Sequence, residues 1–215
     1  MPTILTVEQG SDDWHALRRG RITASHMGDV MAKPHTKRYR RYRAFLIQEL
    51  LGYEPNEESA EWFEHGKQME PRAIGAIQWR HNVEGTHDVF AIHSTHEWLG
   101  ASPDLYVAGG PVYEIKSRAM LKTYLEVVQK IEDHREGNYA GWIPPEYRWQ
   151  LQCQMFVLDI GEIIFANYHE WPEHRIRKLH TICVRRDPDA INVMEERAMQ
   201  FMTEVYDIAC VERAA

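Results

Sequence analysis

Asp104 and, ten residues further on, the triplet Glu114-Ile115-Lys116 are the side chains of this sequence best suited to act together chemically. In a strand, residues two apart share a face, so Glu114 and Lys116 project together while Ile115 points to the other side. Gly109-Gly110-Pro111 offers a turn between Leu105-Tyr106-Val107 and Val112-Tyr113-Glu114-Ile115-Lys116. Antiparallel pairing across it places Glu114 roughly opposite Leu105, with Asp104 beside it at the end of the neighbouring strand. Two carboxylates and an ammonium then converge. Such a set suits phosphodiester hydrolysis: hard oxygen ligands hold Mg²⁺ with several waters retained, and the ion polarises the phosphate and helps deprotonate the attacking water. The lysine would position or activate that water and offset the charge that builds on the phosphorane. The other reading of the same spacing is a solvent-exposed salt bridge on a hairpin, which stabilises little.

The elements that must hold this hairpin can be read along the chain. Ser11 caps a short helix to about Arg19, Gly20 breaks it, and a second short helix runs from about Ser25 to Met31 before Pro34. Helical patterns follow over about Tyr39–Leu51, ending at Gly52, and over about Ser59–His81, which Pro71 should bend. Short β-type runs occupy about Thr86–Ser117. Helices are expected at about Ala119–Arg135 and, after Pro144-Pro145, at about Glu146–Leu158. Strands at about Glu162–Tyr168 and Ile176–Val184 precede a last helix over about Pro188–Cys210. This order predicts an α/β (α+β) fold with a central mixed β-sheet flanked by helices. With no internal repeat and no low-complexity stretch, one domain spanning 1–215 is expected.

Ser102-Pro103-Asp104 followed by Glu114-Ile115-Lys116 resembles the P-D…(D/E)-x-K signature of the restriction-endonuclease-like nucleases. The flanks make the likeness specific. Val7-Glu8-Gln9-Gly10, Trp14-His15-Ala16-Leu17-Arg18, Gly20, Ile22-Thr23-Ala24-Ser25, Ala32-Lys33-Pro34, Gly66-Lys67-Gln68-Met69-Glu70, Gln150-Leu151-Gln152 and Phe165-Ala166-Asn167-Tyr168 stand in the order in which similar blocks occur in the lambda-exonuclease family (phage alkaline exonucleases, YqaJ-like viral recombinases). The resemblance implies that Asp104 and Glu114 are metal ligands joined by the carbonyl of Ile115, and that Lys116 is the catalytic lysine. It further implies active-site positions for Glu70 and Gln150, and phosphate contacts near the terminal nucleotide for Arg18 and Ser25.

Local chemistry agrees in part. Glu70 precedes Ile74 by four residues and Ile77 by seven, which sets a carboxylate on the apolar stripe of its helix, where it needs a cation. A metal ion is one solution; an ion pair with Arg72 or Arg118 is another. Gln150 also fits an ordinary polar helix position, Arg18 the surface of an amphipathic helix, and Ser25 a helix cap. A cap there would leave a helix N-terminus free to face phosphate.

The segment from Lys33 to Arg43 holds six Lys or Arg (Lys33, Lys37, Arg38, Arg40, Arg41, Arg43) and no acid, within a chain of formal net charge -7. It is an electrostatic footprint for polyphosphate that net charge conceals, although a solvated helix face has the same composition. Tyr39 and Tyr42 are expected to stack on bases of a frayed end while the cations track phosphates. After Lys33-Pro34 the phage relative has an arginine associated with the 5′-phosphate, whereas this chain has His35. A protonated His35, Lys37 or Arg38 would have to take that place.

Other features bound the reading. The first residues lack the regions of a signal peptide and no apolar run approaches the ~18 residues of a membrane span, so a soluble, unsecreted, cytoplasmic protein without membrane attachment is expected. Cys153, Cys183 and Cys210 form no C-x-x-C pair and are expected as reduced thiols. Among twelve histidines there is no H-E-x-x-H motif, and Pro172 between His169 and His174 opposes a zinc pair on one helix. Met194, Met199 and Met202 read as core or subunit-contact residues.

Together these observations lead to an expected Mg²⁺-dependent processive 5′-to-3′ exonuclease on double-stranded DNA ends, with Mn²⁺ able to substitute and two ions per site. The family resemblance supplies the polarity, the processivity, a ring-shaped homotrimer, and a single-strand annealing recombinase as the partner that receives the 3′ overhang. Two alternatives use the same residues: a site-specific endonuclease with the same metal centre, which would need side chains that read base edges, and a non-catalytic DNA-end clamp.

Overall fold

The computed structural model describes residues 1–53, 61–171 and 176–214. Short elements come first. Strand β1 (Thr3–Thr6) leads to helix α1 (Asp12–Arg18), capped by Ser11, whose hydroxyl accepts from the Trp14 N–H, and carrying Asp12 and Asp13 in its first turn. Strand β2 (Ile22–Thr23), a 3₁₀ turn (Ala24–His26) and α2 (Met27–Val30) follow. The basic helix α3 (Lys37–Leu50) is capped by Thr36. Helix α4 (Glu61–His81) carries Pro71 internally, and its expected start near Ser59 lies outside the described residues.

Strands β3 (Val89–Ile92), β4 (Leu99–Ala101), β5 (Leu105–Tyr106) and β6 (Val112–Ser117) come next. Helix α5 (Leu121–Asp133), two short strands β7 (Arg135–Glu136) and β8 (Tyr139–Ala140), and helix α6 (Pro145–Leu158) lead to the long strands β9 (Glu162–Trp171) and β10 (Ile176–Arg185). Helix α7 (Pro188–Ala214) ends the described chain.

Two sheets result. The larger has the order β5-β6-β9-β10-β8-β7 and the smaller β1-β3-β4-β2. β6 runs parallel to β9, with Glu114 beside Phe165 and Lys116 beside Asn167. The mixed sheet flanked by helices is thus present, with a second small sheet that the sequence pattern did not separate from it. β1, β7 and β8 were also not anticipated; two- to four-residue strands are too short to show alternation.

Alternation along β6 divides the two cores. Leu105, Tyr113 and Ile115 pack with Ala73, Ile74 and Ile77 of α4, while Val112 and Phe165 face the larger core formed with α2, α3, α6 and α7. Every residue of α6 from Leu151 to Leu158 is buried, the apolar ones in that larger core. The large sheet is therefore clamped between α4 and α6, and each fully buried Leu or Phe contributes roughly 1.5–3 kcal/mol to holding it there.

Three expectations are corrected. Leu105 pairs with Tyr113 and Tyr106 with Val112, so continuing the ladder puts Asp104 itself, not Leu105, opposite Glu114. The turn is longer than Gly109-Gly110-Pro111 because Val107 belongs to it: its N–H donates to the Pro111 carbonyl and its carbonyl accepts from Gly110, while Gly109 takes the left-handed conformation at φ 69°. Tyr39 and Tyr42, expected as base-stacking side chains, are instead buried; both rings pack on Phe201 of α7. The Tyr42 hydroxyl accepts from the Thr23 N–H and donates to the Arg21 carbonyl, so this ring holds β2 in place.

Candidate active site

Asp104 follows β4 and Pro103, and the β5–β6 hairpin folds Glu114-Ile115-Lys116 against it. The Asp104 carboxylate accepts the Ile115 N–H at 2.6 Å. Because the N–H and C=O of one strand residue point to the same edge, the Ile115 carbonyl faces the edge on which Asp104 sits. Lys116 Nζ lies 2.5 Å from Glu114 Oε1, and the Glu114 side chain is fully buried. A solvent-exposed hairpin salt bridge is thereby excluded.

The fully buried Glu114 carboxylate is held from helix α6. Gln150 Nε2 donates to Oε1 and Gln154 Nε2 to Oε2, each at 2.6 Å. The two amides are four residues apart and so share one face of the helix. Gln150 was anticipated, Gln154 was not, although that spacing was a legible signal. Gln154 Oε1 is buried without a hydrogen-bond partner.

Electrostatics follow from burial and crowding. Desolvation, then the neighbouring Glu114, hold the Asp104 carboxyl well above the usual carboxylate range; Lys116 opposes this and Glu70 adds to it. Burial acts to lower the Lys116 pKa, but the charges of Glu114 and Asp104 outweigh it and push the ammonium up. Glu70 is thus close enough to act on Asp104, while the anticipated alternative partner Arg72 pairs with Glu170 at 3.3 Å.

Two crowded carboxylates with one desolvated carboxyl pushed toward its neutral form are the electrostatic conflict that a divalent cation removes. Among the described residues no three His, Cys, Asp or Glu side chains converge as metal ligands. The donor set is two carboxylates and a peptide carbonyl, all oxygen, which fits a hard cation that keeps several waters and does not fit a zinc site.

A second polar group adjoins this one. Arg18 Nη2 donates to Thr23 Oγ1 at 3.4 Å, Thr23 and Ser25 hydroxyls lie 3.2 Å apart, and the Arg18 guanidinium sits 4.1 Å from the Trp14 ring centroid. Trp14 Nε1 donates to Ser102 Oγ at 3.3 Å, two residues before Asp104. Parallel pairing of β2 with β4 brings Thr23 to the same end. Arg18 and Ser25 therefore stand together beside the Asp104 strand, with Thr23 as a member the sequence did not single out; Thr23, not Ser25, is the N-cap residue of the 3₁₀ turn.

Lys33, His35, Lys37, Arg38, Arg40 and Arg41 are all exposed. They are not equally available, because Arg38 Nε pairs with Asp29 and Arg43 pairs with Glu204 at 2.6 Å. Arg38 lines a cleft with Gly28, Met31, Ala32, Pro145, Glu146 and Trp149, which sets the basic segment beside the start of α6, the helix that carries Gln150. His169 is buried, its Nδ1 donating to the Arg118 carbonyl at 2.7 Å, while His174 and Pro172 lie outside the described residues. Met194 and Met202 are core residues, and Met199 is exposed.

Comparison with known proteins agrees with this architecture. The structure superposes on the alkaline exonuclease LHK-Exo from Laribacter hongkongensis with a TM-score of 0.77 at 27% identity, covering 95% of this chain and 97% of that one. The same exonuclease in complex with dAMP gives 0.75 at 26% identity over 95% and 97%. A phage related exonuclease from Haemophilus somnus 129PT shares the fold alone, with a TM-score of 0.63 at 14% identity over 90% and 96%. No curated protein matches the sequence. The fold is the restriction-endonuclease-like one that the motifs led us to expect. The family model of the YqaJ-like viral recombinase domain matches residues 13–162, more than two thirds of the chain. On the strength of that match, this chain belongs to the YqaJ-like viral recombinase family.

Proposed function

We propose that this protein, acting as one nuclease domain over residues 1–215, is a divalent-metal-dependent exonuclease that enters double-stranded DNA ends and removes nucleotides from the 5′-ended strand. The observation that carries the reading is Asp104 folded against Glu114-Ile115-Lys116, with its carboxylate on the Ile115 N–H. The names of its relatives support the substrate class: LHK-Exo is an alkaline exonuclease and has been captured with dAMP.

Asp104, Glu114 and the Ile115 carbonyl would hold Mg²⁺ or Mn²⁺, two ions per site, with Glu70 near enough to contribute charge. Bound there, the cation supplies polarisation of the phosphate and a lowered pKa for the attacking water. The protein's own groups do the rest. Gln150 and Gln154 fix the Glu114 carboxylate so that it need not reorganise during the reaction. Lys116, held as an ammonium, places a positive charge where negative charge develops on the phosphoryl oxygens. Arg18 and Ser25 hold a phosphate near the terminal nucleotide. The exposed Lys33, His35, Lys37, Arg40 and Arg41, with Arg38, guide the duplex, and protonated His35 or a neighbouring cation anchors the 5′-phosphate.

The enzyme works as a homotrimeric ring in the cytoplasm of a bacterial or phage-infected cell and leaves a 3′ single strand for an annealing recombinase. The test is digestion of linear duplex labelled at the 5′ or 3′ end, with and without Mg²⁺, beside a closed circular control. Early release of the 5′ label only with metal, and an intact circle, is the expected result. Cutting of the circle would favour an endonuclease, and binding without release a clamp.

A further inference from the structure

Alternation along β6 does not stop at Lys116. Arg118 is the next residue on the face that carries Glu114 and Lys116, and its N–H continues the ladder by donating to the Tyr168 carbonyl at 2.7 Å. Its guanidinium is anchored on two sides: Nε donates to Asn167 Oδ1 at 2.9 Å and Nη1 to the Tyr147 hydroxyl at 3.3 Å. Asn167 is fixed in turn by donating to the Tyr124 carbonyl at 3.2 Å. Both partners of the guanidinium are neutral oxygens. Nη2 is buried and, among the described residues, donates to nothing. Among the described residues no salt bridge joins Arg118 to a carboxylate; Glu114 pairs with Lys116 and Glu170 with Arg72.

A part-buried guanidinium held at two of its nitrogens, with the third buried and unpaired and no counter-anion among the described residues, has a geometry prepared for an anion that arrives from outside. Tyr147 shows where that anion would come. Its ring lies 5.0 Å from Lys116 Nζ and 5.4 Å from the Arg118 guanidinium, so one aromatic ring is shared by both cations. The step from residue 116 to residue 118 along a strand is roughly 6–7 Å, of the order of one nucleotide of extended backbone.

We propose that Arg118 binds the phosphate next to the scissile one, through Nη2, with Tyr147 as the residue that positions it. This rests on the nuclease reading above, which places the scissile phosphate at Lys116. Arginine suits the role because its planar fork is always charged and can be oriented by two donors while a third meets phosphate.

The test uses the full-length protein and a 5′-phosphorylated duplex whose terminal linkages are phosphorothioate, followed by fluorescence anisotropy over a salt series in Mg²⁺. Arg118→Gln is expected to raise Kd about tenfold and to reduce the slope of log K against log salt by about one. Arg118→Lys should keep the slope and recover part of the affinity, and Tyr147→Phe should weaken binding with the slope intact. On the unmodified duplex the loss in Arg118→Gln should fall on KM rather than kcat. A lowered melting temperature with unchanged Kd and slope would make Arg118 only a tie between strands and overturn the proposal. So would a fall in kcat at unchanged Kd, which would put Arg118 on the scissile phosphate. Neither result touches the nuclease reading, which fails instead if the wild type releases no label from the unmodified duplex.

Discussion

At Asp104 two effects act in the same direction: burial and the nearby Glu114 both favour the protonated carboxyl. A carboxyl whose folded pKa is raised adds stability below its unfolded value, about 3.9, and that contribution is lost as pH rises through the folded value. The metal-free protein therefore carries an electrostatic cost at neutral pH. Asp104→Asn keeps an oxygen for the Ile115 N–H and removes the charge. In EDTA at pH 8 it should be more stable than the wild type by on the order of 1 kcal/mol in urea denaturation, the gap closing toward pH 4. Mg²⁺ or Mn²⁺ should stabilise the wild type and not the variant; equal stabilisation of both would remove Asp104 from the metal site. Lys116 poses the opposite case, since its ammonium is held charged throughout the working range. Lys116→Ala should lower the cleavage rate by at least about 10²-fold while duplex binding stays near wild type. Near-normal turnover in that variant would end its catalytic assignment.

The elements matter because they bring these residues into register. β4 delivers Ser102-Pro103-Asp104, and its Gly100 sits where an added Cβ would come within 2.4 Å of the Phe90 ring on β3. The ring is fully buried, so it can move only by displacing its packed neighbours. Gly100→Ala should cost about 1–3 kcal/mol in denaturant unfolding and lower cleavage by displacing Asp104. An unchanged midpoint would show that β3 and β4 are looser than their packing suggests. The element scale also shows what was readable in the sequence. The hairpin and the long helices follow from turn residues and periodicity, whereas Gln150 came from the family resemblance and Gln154 was missed. The register of the hairpin did not, because Val107 looks like a strand residue and joins the turn only through its bonds to Pro111 and Gly110. Tyr39 and Tyr42 were misread for a related reason: with Leu46 they form an apolar stripe at helical spacing, but their cover, Phe201, lies far along the chain. The Arg18–Thr23–Ser25 group likewise depends on β2 pairing with β4, a contact no local pattern announces.

For the whole molecule, the difficulty is a formal net charge of -7 on a protein proposed to travel along a polyanion. Exposed cations from Lys33 to Arg41 supply local attraction, yet two members of the wider basic segment, Arg38 and Arg43, are already spent on Asp29 and Glu204. Phosphate contacts alone would then be few and easily screened by salt. A ring that encloses the duplex resolves this, because retention by topology does not depend on counterion release. The two mechanisms separate cleanly. With a competitor trap added after loading, raising salt from about 50 to 200 mM should reduce the rate of initiation on DNA ends steeply, since end capture is electrostatic. The number of nucleotides removed per binding event should stay within about a factor of two, since an enclosed strand cannot leave during a brief loss of contact. Arg40→Gln combined with Arg41→Gln should reproduce the salt effect, slowing initiation and sparing run length. If run length falls in proportion to initiation, in salt or in the double variant, the duplex is held by phosphate contacts only, and the ring gives no account of how so acidic a chain stays on DNA.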